Sequence, residues 1–172
     1  ALVHAHGQVI DYPGHLGAIH HELEIVLFIG KDVEDDFTVD EVVTKMALGI
    51  DLTLRDVQSK LKSKGHPWLL AKGFKNSAVI TDFWDFPGVD ECHEKNFSLL
   101  RENAVIQNGH ISQMIFPFQS LLDYIHKNFG LKRGDLVFTG TPEGVGPIQD
   151  DETYHMYWGD EEKGRFKVHL SF

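Results

Sequence analysis

Two glutamates, Glu22 and Glu24, stand at the start of the apolar segment Leu23–Ile29. The length of this segment and its β-branched residues predict a buried strand. Side chains two positions apart on a strand share a face, so both carboxylates point the same way, about 7 Å apart along the strand. Val26 and Phe28 continue that face, which predicts that it is buried. The fold must therefore accommodate two acidic groups against apolar packing.

Two ionised carboxylates on one buried face repel each other unless a cation lies between them or one of them is protonated. Carboxylate oxygens suit Mg²⁺, Mn²⁺ or Ca²⁺ better than Zn²⁺. Glu22 and Glu24 therefore predict a divalent-cation site. The alternative is an antiparallel strand with one face in water, where both glutamates are ordinary solvent-exposed residues.

Two further charged residues interrupt apolar stretches. Asp51 lies in the segment 46–52, and a buried aspartate is costly unless it is paired or bound to a metal. Its alternative role is to cap the helix predicted from Arg55. Lys72 lies in the segment 68–74, where its ammonium group either extends to water or meets an anion.

Residues 139–146 read Thr-Gly-Thr-Pro-Glu-Gly-Val-Gly and follow a predicted strand. The backbone amides of such a loop can hold an oxyanion or a carboxylate. The loop lacks the lysine of a phosphate-binding loop, so the sequence does not predict nucleotide binding.

Short strands and turns outnumber helices along the chain, which predicts an α+β fold with a mainly β core. A capping box formed by Thr38 and Glu41 begins one of the helices. Helices are predicted at 39–46, 55–64 and 117–130. Strands are predicted at 23–29, 47–54, 135–139 and 165–172, with a hairpin of 97–106 and 110–115 that turns at Asn108-Gly109.

Size and charge exclude several classes of protein. A chain of 172 residues forms one domain with its own core. Its 16 Lys and Arg residues against 26 Asp and Glu give a net charge of −10, which would be repelled by a nucleic-acid backbone. No apolar run approaches the roughly 18 residues of a membrane-spanning helix. Cys92 is the single cysteine, which excludes an intrachain disulfide and predicts a reducing compartment, the cytoplasm.

Several of these segments occur together in a recognisable order. They are His21-Glu22-Leu23-Glu24, Asp51-Leu52-Thr53-Leu54-Arg55-Asp56-Val57-Gln58, Leu70-Ala71-Lys72-Gly73-Phe74, Met114-Ile115-Phe116, Gly134-Asp135 and the loop 139–146. As a set they resemble the fumarylacetoacetate hydrolase family, and within it the short, single-domain acylpyruvate hydrolase branch. The resemblance runs over residues 1–172. It implies a mixed β-sandwich or roll of the family's C-terminal domain type, a homodimer, and one Mg²⁺ or Mn²⁺.

The resemblance also implies a role for each matching side chain. Three carboxylates match the family's metal ligands, and four side chains match its substrate-binding positions. One of these four, the lysine, is also the catalytic candidate, because the matching lysine contacts the bound oxo acid. The metal ligands are Glu22, Glu24 and Asp51, and the substrate-binding residues are Arg55, Gln58, Lys72 and Thr141.

The chemistry that the resemblance implies is hydrolysis of a carbon–carbon bond in a 3-acylpyruvate, such as an acylpyruvate or fumarylpyruvate, with the pyruvate part leaving as an enolate held by the metal. Alternatives within the family are oxaloacetate decarboxylation and isomerisation of 2-hydroxyhepta-2,4-diene-1,7-dioate. A different alternative is a non-catalytic, metal-binding homodimer.

This branch of the family activates water with a His and a Glu on an N-terminal lid helix, and these residues have no counterpart in residues 1–172. We therefore expect a lid segment ahead of Ala1, and we do not assign its role to His4 or His6. A targeting signal in such a segment would indicate mitochondria instead of the cytoplasm.

Overall fold

A computed structural model describes residues 2–172, in which fourteen strands and five helices are present. The strands are β1 (Leu2–His4), β2 (His6–Tyr12), β3 (Ile19–His21), β4 (Leu23–Ile29), β5 (Val43–Asp51), β6 (Thr53–Leu54), β7 (Ala78–Ile80), β8 (Trp84–Asp85), β9 (Phe97–Arg101), β10 (Ala104–Gly109), β11 (Leu136–Phe138), β12 (Gly146–Pro147), β13 (Thr153–Trp158) and β14 (Glu161–Leu170). The helices are α1 (Val39–Val42), α2 (Arg55–Ser63), α3 (Leu69–Lys72), α4 (Val89–Cys92) and α5 (Phe118–Phe129).

The strands form two large sheets and one small one. The first has the order β1-β7-β5-β4-β11, with β8 also paired to β5; the second has the order β10-β9-β13-β14-β2; and the small sheet is β12-β3-β6. The β1/β7 and β14/β2 pairs are parallel and the other pairs are antiparallel. Buried residues of both large sheets share one apolar core, as in a sandwich. The predicted mainly β, mixed α+β fold is confirmed.

Strand β4 has two different faces. Leu23, Ile25 and Leu27 pack into the main core between the sheets. Val26 lies on the opposite face, in a smaller apolar cluster with Ala47 and partly buried aromatic side chains. Because side chains alternate along a strand, Glu22 and Glu24 lie on this second face, which is buried as the sequence predicted. The acidic residues thus stand at the end of a second, smaller core.

Two predictions of local structure are wrong. The hairpin turns at Glu102-Asn103 between β9 and β10, where Glu102 has a φ of 51°, and not at Asn108-Gly109. Gly109 pairs with Phe97 inside the ladder, and a Cβ there would lie 2.6 Å from the Phe97 ring. The glycine thus permits close packing and does not make the turn.

The helix predicted over 39–46 ends at Val42 although its capping box is present. From Val43 onward the chain belongs to β5. Pairing with β4 in the sheet outweighs the short helix, because the β-branched Val43 and Thr44 favour strand geometry. The helix predicted over 55–64 is confirmed as α2, and α5 ends at Gly130 in the left-handed conformation, as predicted. Within residues 2–172, no helix has both the length and the apolarity needed to cross a membrane.

Candidate metal and substrate site

Antiparallel pairing of β4 with β5 brings three carboxylates together. Glu24 lies opposite Gly49, and the amide of Asp51 donates to the carbonyl of Glu22 at 2.9 Å. Glu22, Glu24 and Asp51 each offer an oxygen, and these oxygens lie within 4.8 Å of one another. Position 49 has no room for a side chain, since a Cβ there would lie 2.7 Å from both Phe138 and Val26, so the glycine permits these two side chains to pack against β5.

Lys72, the last residue of α3, binds two of these carboxylates. Its Nζ lies 2.7 Å from Glu22 Oε2 and 2.6 Å from Asp51 Oδ2. The Lys72 side chain is 26% exposed, so its ammonium group is directed into the acidic cluster and does not simply extend to water. Of the two sequence interpretations of this lysine, the structure supports contact with an anion, and that anion is the protein's own carboxylate pair.

The other oxygen of Glu22 is held by Thr53, the first residue of β6, and by Arg55, the first residue of α2. Thr53 donates its hydroxyl to Glu22 Oε1 at 3.1 Å, and Arg55 Nη2 lies 3.0 Å from the same oxygen. Arg55 also donates through Nη1 to Gln58 Oε1 at 2.6 Å, and Gln58 is buried. Arg55 and Gln58 therefore stand together beside the acidic cluster, and their substrate-binding role stays a prediction.

Glu24 is fixed by the glycine-rich loop. The backbone amide of Gly140 donates to Glu24 Oε2 at 2.8 Å, in a residue whose φ of 101° favours glycine. The sequence predicted that amides of this loop hold an oxyanion or a carboxylate. The carboxylate that the Gly140 amide holds belongs to the chain itself.

Burial and neighbouring charges set the protonation of the cluster. Burial raises the pKa of Glu24 to about 7, against the Gly140 hydrogen bond and with the help of the charges on Asp51 and Glu22. Burial also raises the pKa of Asp51, although Lys72 opposes it. Burial would raise the pKa of Glu22, but its hydrogen-bond donors outweigh burial and lower that pKa. These donors are Lys72, which also acts through its charge, Thr53 and Arg55.

The same balance applies to Lys72. Burial favours its neutral form, but Asp51 and Glu22 outweigh burial and raise its pKa. Lys72 is therefore an ammonium group at neutral pH, a hydrogen-bond donor and not a base.

Gln107 is a site residue that the sequence analysis missed. This buried side chain accepts from the Leu23 amide at 3.0 Å and donates to Thr141 Oγ1 at 2.9 Å and the Pro142 carbonyl at 3.2 Å. Its Oε1 also lies 2.8 Å from His21 Nδ1. It thus ties the start of β4 to the loop that carries Thr141. A glutamine within β10 gives no local signal of this role, because its partners lie far away in the sequence.

A cavity of about 590 Å³ adjoins the loop on its other side. Its walls come from 139–143, from the segment 113–116 and from Phe97, His110 and Leu121. Thr141 lines it, whereas Glu22, Glu24 and Asp51 do not. Gly140 both lines the cavity and contacts Glu24 through its amide, so the cavity adjoins the acidic cluster at this residue.

The donor set fits a hard divalent cation. Three carboxylates supply only oxygen ligands, which Mg²⁺ and Mn²⁺ prefer. Burial is the main cause of the raised pKa of Glu24, and the charges on Asp51 and Glu22 add to it. A bound cation would relieve that repulsion. Lys72 partly fulfils that function where no metal is present.

Residues 1–167 match the family model described as "Fumarylacetoacetate (FAA) hydrolase C-terminal". The chain belongs to the fumarylacetoacetate hydrolase family. Among curated relatives, it is 34% identical over 167 residues to the mitochondrial oxaloacetate tautomerase FAHD1 of Mus musculus, covering 96% of this chain and 76% of the relative. It is 37% identical over 150 residues to the oxaloacetate tautomerase YcgM of Escherichia coli, covering 84% of this chain and 68% of the relative.

Solved structures of the family agree with this fold. The fumarylpyruvate hydrolase of Pseudomonas aeruginosa, whose crystal structure is a complex with Mn²⁺ and pyruvate, superposes with a TM-score of 0.89 at 32% identity. The match covers 99% of this chain and 75% of that one. These relatives are enzymes that act on small oxo acids, according to their names.

The structure gathers most of the predicted site around one point. Glu22, Glu24, Asp51, Lys72 and Arg55 form a connected set, with Gln58 bound to Arg55. Thr141 joins this set only indirectly, through Gln107 and the neighbouring Gly140. The individual roles of these residues remain predictions.

Proposed function

We propose that this chain interconverts the keto and enol forms of a small 2-oxo dicarboxylic acid, with oxaloacetate as the substrate. The observation that carries the proposal is the cluster of three carboxylates with an ammonium group 2.6–2.7 Å from two of them. Curated relatives at 34–37% identity carry the name oxaloacetate tautomerase, which supports this choice over the hydrolysis that the sequence resemblance favoured.

In this proposal Glu22, Glu24 and Asp51 hold Mg²⁺ or Mn²⁺. When bound, the cation supplies Lewis-acid polarisation of the substrate oxygens. Gly140 and Gln107 keep the ligand set in place, Gly140 through its bond to Glu24 and Gln107 through its bond to the Leu23 amide. The three carboxylates and a divalent cation leave a net charge of −1, so an anionic substrate needs further positive charge.

Lys72 and Arg55 supply that positive charge. Lys72 keeps its proton at Nζ because its pKa is raised, so it donates a hydrogen bond to the oxygen on which enolate charge develops. Arg55 lies 3.0 Å from Glu22 and is held by Gln58, which orients its guanidinium group. Thr141 lines the adjoining cavity and offers a hydroxyl group to a substrate carboxylate.

A second candidate is hydrolysis of a 3-acylpyruvate, which also passes through a pyruvate enolate. The complex of the Pseudomonas aeruginosa fumarylpyruvate hydrolase with Mn²⁺ and pyruvate favours it. Hydrolysis requires an activated water in addition to the enolate-stabilising groups. Decarboxylation of oxaloacetate likewise gives a pyruvate enolate, and a relative in Dictyostelium discoideum is named oxaloacetate decarboxylase.

We also propose that the chain is a homodimer. Ile115 and Phe116 are 88% and 60% exposed, and adjacent large apolar side chains at this exposure favour burial against another chain. They line the cavity beside Thr141, so a second copy seated there would close it. The compartment remains a prediction: the single cysteine indicates the cytoplasm, while several relatives are named mitochondrial.

Three assays with Mg²⁺ separate the candidates. Ultraviolet absorbance follows the disappearance of enol-oxaloacetate, and coupling to lactate dehydrogenase follows pyruvate release from oxaloacetate and from acetylpyruvate. A tautomerase should accelerate enol loss well above the buffer rate without releasing pyruvate, whereas pyruvate release from oxaloacetate would indicate the decarboxylase. Pyruvate from acetylpyruvate without accelerated enol loss would establish the hydrolase instead, and no turnover of any substrate would support the non-catalytic homodimer.

Lys72→Met provides the residue-level test, with Lys75→Met as the matched control because Lys75 is exposed and lies three residues away. A charge-assisted hydrogen bond contributes about 1.5–3 kcal/mol, so Lys72→Met should lower the rate of keto–enol interconversion about ten- to a hundredfold. The same substitution should weaken the binding of oxalate, a planar mimic of the enolate, by a similar factor. Equal oxalate affinities in the two variants would remove Lys72 from the substrate site.

A further inference from the structure

A second group of potential metal ligands lies outside the acidic cluster, at the junction of the first two strands. His4, His6 and Asp82 each offer a ligand atom, and these atoms lie within 4.8 Å of one another. His6 Nε2 is 3.1 Å and His4 Nδ1 is 3.8 Å from the same oxygen, Asp82 Oδ1. The side chains are 49–76% exposed, so an ion from solvent can reach them.

The backbone fixes this group more firmly than its exposure suggests. His4 ends β1 and His6 begins β2, with the buried Ala5 between them. Two residues separated by one extended residue share a side of the chain. The amide of Ala5 donates to the carbonyl of Ile80 at 2.8 Å, and Asp82 follows two residues later, after the fully buried Thr81.

Gln8 adds a local connection between the histidines. Its Oε1 accepts from the His6 amide at 2.8 Å, and its Nε2 donates to the His4 carbonyl. The main chain that carries both imidazoles is therefore fixed by the Gln8 side chain as well as by hydrogen bonding to β7. The ring centroids of His4 and His6 lie 5.4 Å apart with their planes at 79°, so the rings do not stack and both have a nitrogen close to Asp82.

The spacing of the ligand atoms suits a tetrahedral ion. Bonds of about 2.0–2.1 Å at tetrahedral angles place neighbouring ligand atoms about 3.3 Å apart. The distances from the two imidazole nitrogens to Asp82 Oδ1, 3.1 and 3.8 Å, lie on either side of that value. Small rotations of exposed side chains complete the site, and three protein ligands leave the fourth position open to water or to another ligand.

We propose that His4, His6 and Asp82 form a second cation site, which binds Zn²⁺ or a similar transition-metal ion and not Mg²⁺. Two imidazole nitrogens and one carboxylate oxygen suit such ions, whereas the oxygen-only cluster suits Mg²⁺ and Mn²⁺. The net charge of −10 draws cations to the surface. An ion here links β1 and β2 to the segment after β7, and so stabilises this edge of the fold.

Zn²⁺ titration against a chromophoric chelator tests the site. The Glu24→Gln background weakens the oxygen-only cluster, so that the histidine site dominates binding. In that background we compare His6→Ala with His66→Ala, whose histidine is exposed and lies outside the group. Because losing an outer-shell partner already costs about 10–100-fold in metal affinity, losing the His6 ligand should cost at least about tenfold, and the His66 change should cost nothing.

Cu²⁺ provides a second readout that does not depend on activity or on the acidic cluster. Electron paramagnetic resonance of the protein with one equivalent of Cu²⁺ should show coupling to two imidazole nitrogens, and His6→Ala should reduce this to one. Zn²⁺ affinity that is the same in His6→Ala and His66→Ala would overturn the proposal. A Cu²⁺ spectrum without nitrogen coupling would overturn it as well.

Discussion

Among residues 2–172, two groups of side chains offer ligand atoms that a cation would need, and these groups differ most in burial. Glu24 in the acidic cluster is 5% exposed, whereas Asp82 beside the histidines is 76% exposed. Charges removed from water need partners, and the acidic cluster has Lys72, Arg55 and the Gly140 amide for this purpose. The histidine group needs none of these because solvent already stabilises Asp82.

A carboxylate ligand behaves differently in the buried cluster and in the exposed group. In the buried cluster, mutual repulsion and desolvation make the protein itself favour a cation or a proton. In the exposed group, the preference depends only on ligand chemistry and on backbone spacing. Changes in the buried cluster should therefore affect metal binding and also the stability of the metal-free protein, while changes in the exposed group should affect metal binding and leave the metal-free protein as stable as before.

The largest effect should come from Glu24→Gln, which retains an acceptor for the Gly140 amide but removes one of three charges. We expect Mg²⁺ affinity to fall by at least about a hundredfold, since the charge count of the ligands sets the affinity of such sites. Glu34→Gln, at an exposed position, and Asp82→Asn should leave Mg²⁺ binding unchanged. Calorimetric titration measures all three, and wild-type affinity in Glu24→Gln would show that the metal binds elsewhere.

Replacing a glutamine should destabilise the protein more beside the acidic cluster than beside the histidine group. Gln107→Leu leaves the Leu23 amide and the Thr141 loop without their buried partner, which should lower the free energy of unfolding by about 2–3 kcal/mol. Gln8→Leu, beside the histidines, is exposed and should cost less than about 0.5 kcal/mol. Urea denaturation compares them, and equal losses would contradict the distinction that we draw from burial.

Lys72→Met should destabilise the metal-free protein by about 1–2 kcal/mol, because Glu22 and Asp51 lose their shared cation. This lies below the roughly 3–5 kcal/mol of a fully buried pair, since these carboxylates are 14% and 30% exposed. Saturating Mg²⁺ should restore most of the loss. Thermal unfolding with and without Mg²⁺ tests this against Lys75→Met, and the idea fails if Mg²⁺ stabilises both variants equally.

The pH should change both the stability of the metal-free protein and its affinity for Mg²⁺, through the protonation of Glu24. The pKa of Glu24 is raised from 4.5 to about 7 by burial, so the folded carboxyl group binds its proton more tightly than the unfolded one. The stability that this group contributes to the metal-free protein is fully present below pH 4.5 and is lost as the pH rises through about 7. Below pH 7, the proton should weaken Mg²⁺ binding by about tenfold per pH unit.

Titrations of Mg²⁺ between pH 5.5 and 8 measure this dependence. Glu24→Gln should abolish the part of it centred near pH 7, and Glu34→Gln should retain it. An Mg²⁺ affinity that does not change across this range would mean that Glu24 is already ionised in the metal-free protein.

Local sequence patterns were sufficient to predict part of this structure. The alternation along Leu23–Ile29 placed Glu22 and Glu24 on one face, and the apolar residues after them showed that this face is buried. Local signals of this kind also located α2 and the end of α5. They succeed because a residue's side of a strand and the end of a helix depend mainly on the nearest residues.

Pairing between distant segments decided the rest. The register of β4 against β5 placed Asp51 beside Glu22, the sheet ended α1 early, and Gln107 reached the Thr141 loop from β10. Likewise, only the parallel pairing of β1 with β7 brings Asp82 to the two histidines. Such contacts depend on which strands pair and in which register, and that choice is settled by burying the whole core together, which no local pattern of residues records.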